Sequence, residues 1–283
     1  MSETVDSLSA ILESRAPWVA LTGAGISSAS GIPTYRDHTG TWLGSQPIQH
    51  DEFILEPVKR QRYWSRSALG WPRVGAAQPN ASHTALVKLE QAGLLTGVIT
   101  QNVDRLHQRA GSQRVIDLHG RLDQVKCLDC GHITTREAIQ NWIEAHNALP
   151  NTSALKLRPD GDADLPGHYV SDFRIPECEQ CGGVVMPEVV FFGGTVPRPI
   201  VDECYQMIDA SDGMLVIGSS LSVYSGLRFC RYAVDQGRPL IILNQGQTRA
   251  DNFCTRKFSD TPFALMAQCA DAFLKNEQEP CHG

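Results

Sequence analysis

The stretch LTGAGISSASGIPTYRD, Leu21 to Asp37, decides how the rest of the chain is read. It follows the apolar run PWVA and so places a glycine turn at the end of an expected buried strand. A strand ending in Gly-x-Gly lets backbone approach a pyrophosphate at a helix N-terminus, where free N–H groups and the helix dipole favour anions. A dehydrogenase fingerprint would carry a third Gly or Ala at position 28, where Ser28 stands, and an acid roughly 20 residues on to hold a ribose. Here the chain instead turns through Gly31-Ile32-Pro33 into Tyr35-Arg36-Asp37.

Working outward, Val5, Leu8 and Leu12 recur at helical spacing ahead of that strand. LLTGVITQN (94–102), RVIDLHG (114–120), VVMPEVVFFGG (184–194), GMLVIGSSL (213–221) and RPLIILNQG (238–246) are further apolar runs that end in polar residues. Amphipathic stretches such as YSGLRFCRYAVDQG separate the later ones, this one stopped by Gly237. Near-continuous apolar strands alternating with helices predict an α/β fold, a Rossmann-like parallel sheet with helices on both faces. Two excursions break the alternation: 38–80, rich in Trp, Pro, Gln and Arg, and 122–183, which holds paired cysteines. The expected division is therefore a core of 1–37, 81–121 and 184–283, with a small lobe built from a helical module (38–80) and a zinc-ribbon module (122–183). Ligands of such sheets bind beyond the carboxyl ends of the strands, which places the site in the cleft between the lobes.

With 283 residues, 42% apolar and 20% charged, the chain can bury one large core with an appended module. Its net charge of −6 argues against specific nucleic-acid binding, which needs a basic face. No run approaches the roughly 18 apolar residues of a membrane span. MSETVDSLSAILESRAPW carries Glu3 and Asp6 and no basic region of the kind that opens a secretory signal, so a cytoplasmic protein with no membrane partner is expected.

Five of the nine cysteines (Cys204, Cys230, Cys254, Cys269, Cys281) are scattered and read as small hydrophobes. The other four form two Cys-x-x-Cys turns, Cys127/Cys130 and Cys178/Cys181, each followed by glycine. Four thiolates match tetrahedral zinc and leave no open position for water, so the metal would be structural. Disulfides are the rival reading, disfavoured in a reducing compartment.

TQNVDRLH (100–107) sets Gln101, Asn102 and Asp104 at a strand end, where an Asn and an Asp serve equally well as helix caps. LHG puts His119 at the end of the next strand as a candidate acid or base. GSSLSVYS (218–225) is a small-residue turn suited to ribose or phosphate, and Asn244 ends a further strand.

Taken in order, GAGISSASGIPTYRD, TQNVDRLH, LHG, the cysteine pairs, VVFFG, GSSLSVYS and LN resemble the sirtuins, NAD-dependent protein deacylases, over nearly the whole chain. RQRYW, GWP, QPN, PDGDADL and GSSLSVYSGLRF are similar to the class II branch, mitochondrial sirtuin-4-like, here in a bacterial form. The resemblance implies two cofactors, NAD and zinc, and acyl-lysine proteins or peptides as substrates. It implies that Gly23, Ala24, Gly25 and Ile26 take the pyrophosphate, and that Pro33, Tyr35 and Arg36 belong to a loop over the nicotinamide ribose. Gln101, Asn102 and Asp104 would surround nicotinamide and its ribose, and Gly218, Ser219, Ser220, Asn244, Gly246 and Ala270 the adenosine half. Val190, Phe191, Phe192 and Gly193 would line the substrate. Asn102 and Asp104 would help nicotinamide leave an oxocarbenium-like C1′, which the acyl oxygen captures. His119 would then act as general base on the ribose hydroxyls.

Two rivals stand beside deacylation: mono-ADP-ribosyl transfer or NAD hydrolysis on the same fold, and a non-catalytic NAD sensor. Within RQRYWSRSAL, Tyr63 and Arg66 fall at i and i+3 of an expected helix. They resemble the Tyr-x-x-Arg with which desuccinylating sirtuins hold an acidic acyl chain. The alternative is that Arg66 faces solvent or pairs with an acid such as Glu56.

Overall fold

All five residues of β1 (Trp18–Thr22) are buried, and they serve two cores, because successive strand residues point to opposite faces. Trp18 and Ala20 pack with Leu8, Leu12, Leu86 and Phe258, whereas Val19 and Leu21 pack with Met207, Val216 and Phe229. A computed structural model describes residues 4–34, 47–150 and 168–278 of the chain.

Ahead of β1 lies α1 (Val5–Ser14), whose N-cap Thr4 accepts a hydrogen bond from the Ser7 amide. A 3-10 helix (Ala24–Ser30) follows the strand. The first excursion supplies α2 (His50–Leu55) and α3 (Pro57–Ala76). The chain re-enters the core through α4 (Ala81–Gln91), β2 (Leu95–Thr100), α5 (Leu106–Ala110) and β3 (Val115–Asp117). The second excursion holds β4 (Gly120–Cys127), β5 (Ile133–Thr135), α6 (Arg136–His146), α7 (His168–Ser171) and β6 (Val185–Val189). It is followed by α8 (Arg198–Asp209), β7 (Gly213–Ile217), α9 (Tyr224–Asp235), β8 (Leu240–Leu243), β9 (Arg256–Phe258) and α10 (Pro262–Gln278).

The large sheet has the order β3-β2-β1-β7-β8-β9, and every pair in it is parallel. Residues of α1, α4 and α10 cover one face and residues of α8 and α9 the other. This is the Rossmann-like arrangement expected from the apolar runs. Strand order reverses direction at β1 and β7, and at such a switch point the loops at the carboxyl ends splay apart to leave a crevice.

One apolar run is placed differently from its reading as a core strand. Residues 185–189 of VVMPEVVFFGG form β6, which pairs antiparallel with β4 in a three-stranded sheet, β5-β4-β6. The small lobe needs a buried strand of its own, and an apolar run carries no information about which sheet it joins. Val185 and Met186 pack there with Val125, Cys127, Ile139 and Ile143, together with Phe53, Tyr63 and Trp64 from the helical excursion. The two excursions therefore share one core. Arg136, fully buried, fastens them together: its guanidinium lies 5.4 Å from the ring centres of both Trp64 and Trp71, and its Nη2 donates to Ser67 Oγ at 3.2 Å. Burial pulls its pKa down to about 10, which leaves it charged at neutral pH.

Among the described residues no helix is long and apolar enough to cross a membrane.

Candidate active site

The loops after β1 and β7 meet because glycine lets their backbones touch. The Gly23 amide donates to Ile217 O at 3.0 Å and the Gly25 amide to Gly218 O at 2.9 Å. A Cβ on Gly23 would lie 2.8 Å from Ser219 Cβ, and one on Gly25 would lie 2.8 Å from Gly218 Cα. Gly218 itself has φ +64°, in the region that favours glycine. The result is one wall of a cavity of about 860 Å³, within the usual size range of ligand sites.

From β2, the Gln101 side chain donates to Thr22 O at 3.2 Å and Ser219 Oγ at 2.8 Å, bracing the loop after β1 against the loop after β7. Asn102 Nδ2 donates to Gly23 O at 3.2 Å and Ser27 Oγ at 3.1 Å. Ser27 in turn donates to Asp104 Oδ2 at 2.7 Å, while Asp104 Oδ1 accepts from the Leu106 amide at 2.9 Å. Asp104 thus closes the turn into α5 and faces the cavity as well. Burial raises its carboxyl above the ordinary value, against the downward pull of those two donors.

Beneath this row lie residues that the sequence reading did not single out: Ser27, His83 and His107. The His83 ring accepts from the Asn80 amide on Nδ1 at 3.3 Å, so its Nε2 carries the hydrogen and points at Ser27 Oγ, 3.5 Å away. His107 lies 4.9 Å from His83, ring centre to ring centre, with Nε2 2.9 Å from Thr22 Oγ1. Burial drives the His83 pKa down to about 4 and that of His107 well below its ordinary value, His83 adding to the latter. Both are neutral packing groups at pH 7. Their signal in the sequence was faint, since a histidine within a helical run reads as surface.

His119 stands at the end of the short segment after β3, with Nδ1 3.0 Å from Gln101 O and Nε2 2.7 Å from Ser225 Oγ. Burial, then the nearby Arg228 guanidinium, holds its pKa below the ordinary value, with the Gln101 carbonyl working the other way. The ring is therefore neutral at pH 7, as a general base must be.

On the opposite wall, Val190, Phe191, Phe192 and Gly193 all line the cavity. The Val190 amide donates to His119 O at 2.8 Å, and Phe192 O accepts from the His50 amide at 2.8 Å, so this segment is tied to both lobes. Tyr63 lines the cavity too, packed against Phe53 and Phe191 with ring centres 5.3 Å away in each case. Arg66, one turn further along α3, is 5% exposed and is not among the lining residues, so it does not face solvent. Ala24, Ile26, Ser220, Asn244 and Gly246 join the lining, and Pro33 sits between the lining residues Ile32 and Thr34. Ala270 is fully buried in the core within α10 and is not among the lining residues; Phe263 of that helix is. Tyr35 and Arg36 lie outside the described residues.

The four paired cysteines converge, with all Sγ atoms within 4.8 Å of one another. Cys127 and Cys181 Sγ are 3.6 Å apart, and Cys130 and Cys178 Sγ 3.7 Å. A zinc tetrahedron with bonds of about 2.3 Å has edges of roughly 3.8 Å, so the donor set and its dimensions fit that metal. The Cys130 and Asp129 amides favour a thiolate at Cys127, whose pKa falls to about 7. This closed S4 set, with Cys127 at the end of β4 and the other three beyond it before β6, fits zinc and leaves no open position for water.

A Sir2 family profile matches residues 23–225. An NAD-dependent protein deacetylase of Xanthomonas campestris is 46% identical over an alignment covering 100% of this chain and 94% of that protein. The NAD-dependent protein deacylase Sirt4 of Drosophila melanogaster is 44% identical, over 97% of this chain and 87% of its own. A Sir2–p53 peptide–NAD+ complex superposes with a TM-score of 0.73 at 30% identity, covering 97% of this chain and 98% of that one. Profile, relatives and fold agree with the motifs, and the chain belongs to the Sir2 family.

Proposed function

We propose that this protein is an NAD-dependent protein lysine deacylase, which moves the acyl group from lysine to ADP-ribose and releases nicotinamide. The observation that carries this reading is one cavity in which a glycine cradle and a neutral histidine face the same space. When bound, NAD would supply a ribose carbon, C1′, that becomes electrophilic as nicotinamide leaves, and ribose hydroxyls that can accept the acyl group. The chain's residues supply the rest.

Gly23, Ala24, Gly25 and Ile26 offer a surface without obstructing side chains to the pyrophosphate, with Gly218, Ser219, Ser220, Asn244 and Gly246 beside the adenosine half. Asn102 and Asp104 orient the nicotinamide end, held by Ser27. Val190 to Gly193 form the wall along which an acyl-lysine peptide lies. His119 receives a proton from a ribose hydroxyl on Nε2, the nitrogen left bare when Nδ1–H binds the Gln101 carbonyl. Zinc, held by Cys127, Cys130, Cys178 and Cys181, stabilises the small lobe and takes no chemical part. The division into a nucleotide-binding core and a two-module small lobe, and a cytoplasmic location, belong to the same reading.

The test is NAD consumption against a panel of acyl-lysine peptides, with mass spectrometry of the nucleotide product. Acyl-ADP-ribose appearing in step with free lysine is the expected result. ADP-ribose alone, or ADP-ribose attached to protein, would transfer the assignment to NAD hydrolysis or ADP-ribosyl transfer.

A further inference from the structure

Ser225 takes no part in the chemistry derived above, yet it holds the atom on which that chemistry turns. A carbonyl oxygen only accepts, so the 3.0 Å contact between His119 Nδ1 and Gln101 O requires the hydrogen on Nδ1. In the neutral ring the lone pair is then on Nε2 alone. Ser225 Oγ lies 2.7 Å from that nitrogen, and the hydroxyl must be the donor. With one contact at each ring nitrogen, rotation of the imidazole would break both. Ser225 is itself well anchored: it sits in the first turn of α9, and its carbonyl accepts from Arg228 Nε at 3.2 Å. Ser225, His119 and Arg228 all line the same cavity.

We propose that Ser225 is a positioning residue for His119, its hydroxyl keeping Nε2 unprotonated and aimed into the cleft until a ribose hydroxyl of the bound dinucleotide takes its place. The proposal rests on the reading of His119 as general base. In the exchange, the ribose O–H donates where Ser225 did; its proton passes to Nε2 and the electron pair stays on the ribose oxygen. A hydrogen bond donated to Nε2 exists only while that atom is unprotonated, so Ser225 favours the neutral ring. Of the groups around the imidazole, Gln101 and Ser225 are uncharged, and Arg228 is the charge that acts on it.

The test begins with ligand-free protein, in which imidazole 15N NMR reports tautomer and titration directly. Wild type should show His119 protonated on Nδ1 and bare on Nε2 at neutral pH. Ser225→Ala should keep the Nδ1–H tautomer, which the Gln101 carbonyl selects, and raise the titration midpoint by roughly half a unit to one unit. In turnover, Ser225→Ala should lower kcat roughly threefold to tenfold with little change in the KM for NAD, and shift the acidic limb of the pH profile upward. Nicotinamide exchange, which precedes the base's step, should persist, and Ser225→Thr should restore the wild-type titration and profile. A Ser225→Ala protein with wild-type titration and pH profile overturns the proposal. A His119→Ala control separates the two levels: near-normal turnover there removes the base assignment, whatever the NMR shows for Ser225.

Discussion

His119 is the residue whose surroundings say most about its task. Two bonds fix its ring, burial keeps it neutral, and the loop after β2 supplies the carbonyl that selects its tautomer. His119→Ala should leave NAD affinity within a few-fold of wild type and cut deacylation by at least about 100-fold, the usual contribution of a placed general base. Calorimetric NAD binding and a peptide assay check the two halves separately. At this scale the sequence was legible where a residue stands just beyond a strand, as His119 does after β3 and Asn102 after β2. Asp104 shows why the alternatives had to stay open: it closes the turn into α5 and faces the cavity, so the capping and the ligand readings describe the same carboxylate. Ser27, His83 and His107 escaped notice because their importance is a matter of what lies beneath Asn102 and Asp104, which only the folded chain brings together.

Among the elements, α3 bears on substrate choice. The helix puts Tyr63 in the cavity and Arg66 one turn away, buried beside it. The clamp proposed for this pair would hold a carboxylate-tipped acyl chain through charge-assisted hydrogen bonds, and it requires the Arg66 guanidinium, which does not line the cavity, to reach it. Glutaryl- and succinyl-lysine peptides should therefore be turned over faster than acetyl-lysine, and Arg66→Met should erase that preference while sparing acetyl turnover. An acetyl preference in the wild-type enzyme removes the clamp and leaves the deacylase assignment standing. The helix itself was legible from RQRYWSRSAL, and so were the parallel strands and their glycine turns. β6 was legible as a strand but not as a member of the small sheet, since pairing partners are set by chain topology rather than by local pattern.

For the whole molecule, stability depends on a metal and on pH. The small lobe has one core, which includes Cys127 and Cys178, so on the proposed zinc site the energy of metal binding would be part of its folding energy. Changing any one of Cys127, Cys130, Cys178 or Cys181 to Ser should release zinc, expected at one ion per chain by elemental analysis, and lower the melting temperature. Metal-free protein that is fully active would refute the structural role. The buried histidines set the acid limit. His83 titrates near 4 when folded and near 6.5 when unfolded, so the unfolded chain binds more protons between those values. Stability from this group is complete above about pH 6.5 and falls as pH drops toward 4, by roughly 3 kcal/mol at most, with His107 acting in the same direction. Asp104, raised by burial, opposes the trend as it protonates. Melting curves between pH 7.5 and 4.5 should show the fall, and His83→Gln should make it shallower; equal slopes would show that the ring is not the cause.

The route of the chain between its lobes has a practical consequence. It leaves the large sheet at His119–Gly120 and returns at Val189–Val190, and the Val190 amide binds the carbonyl of His119 at 2.8 Å, side by side with the outgoing strand. A Cβ on Gly120 would meet Glu188 O at 2.1 Å, so the two strands cross more closely than a side chain at position 120 would allow. His119 and Val190 thus stand at one end of the β4–β6 pair, and the four cysteines gather at its other end. If the proposed function and zinc site hold, a chelator or thiol oxidant acting at that far end should inhibit without entering the cleft, and neither excess NAD nor excess peptide should compete it away.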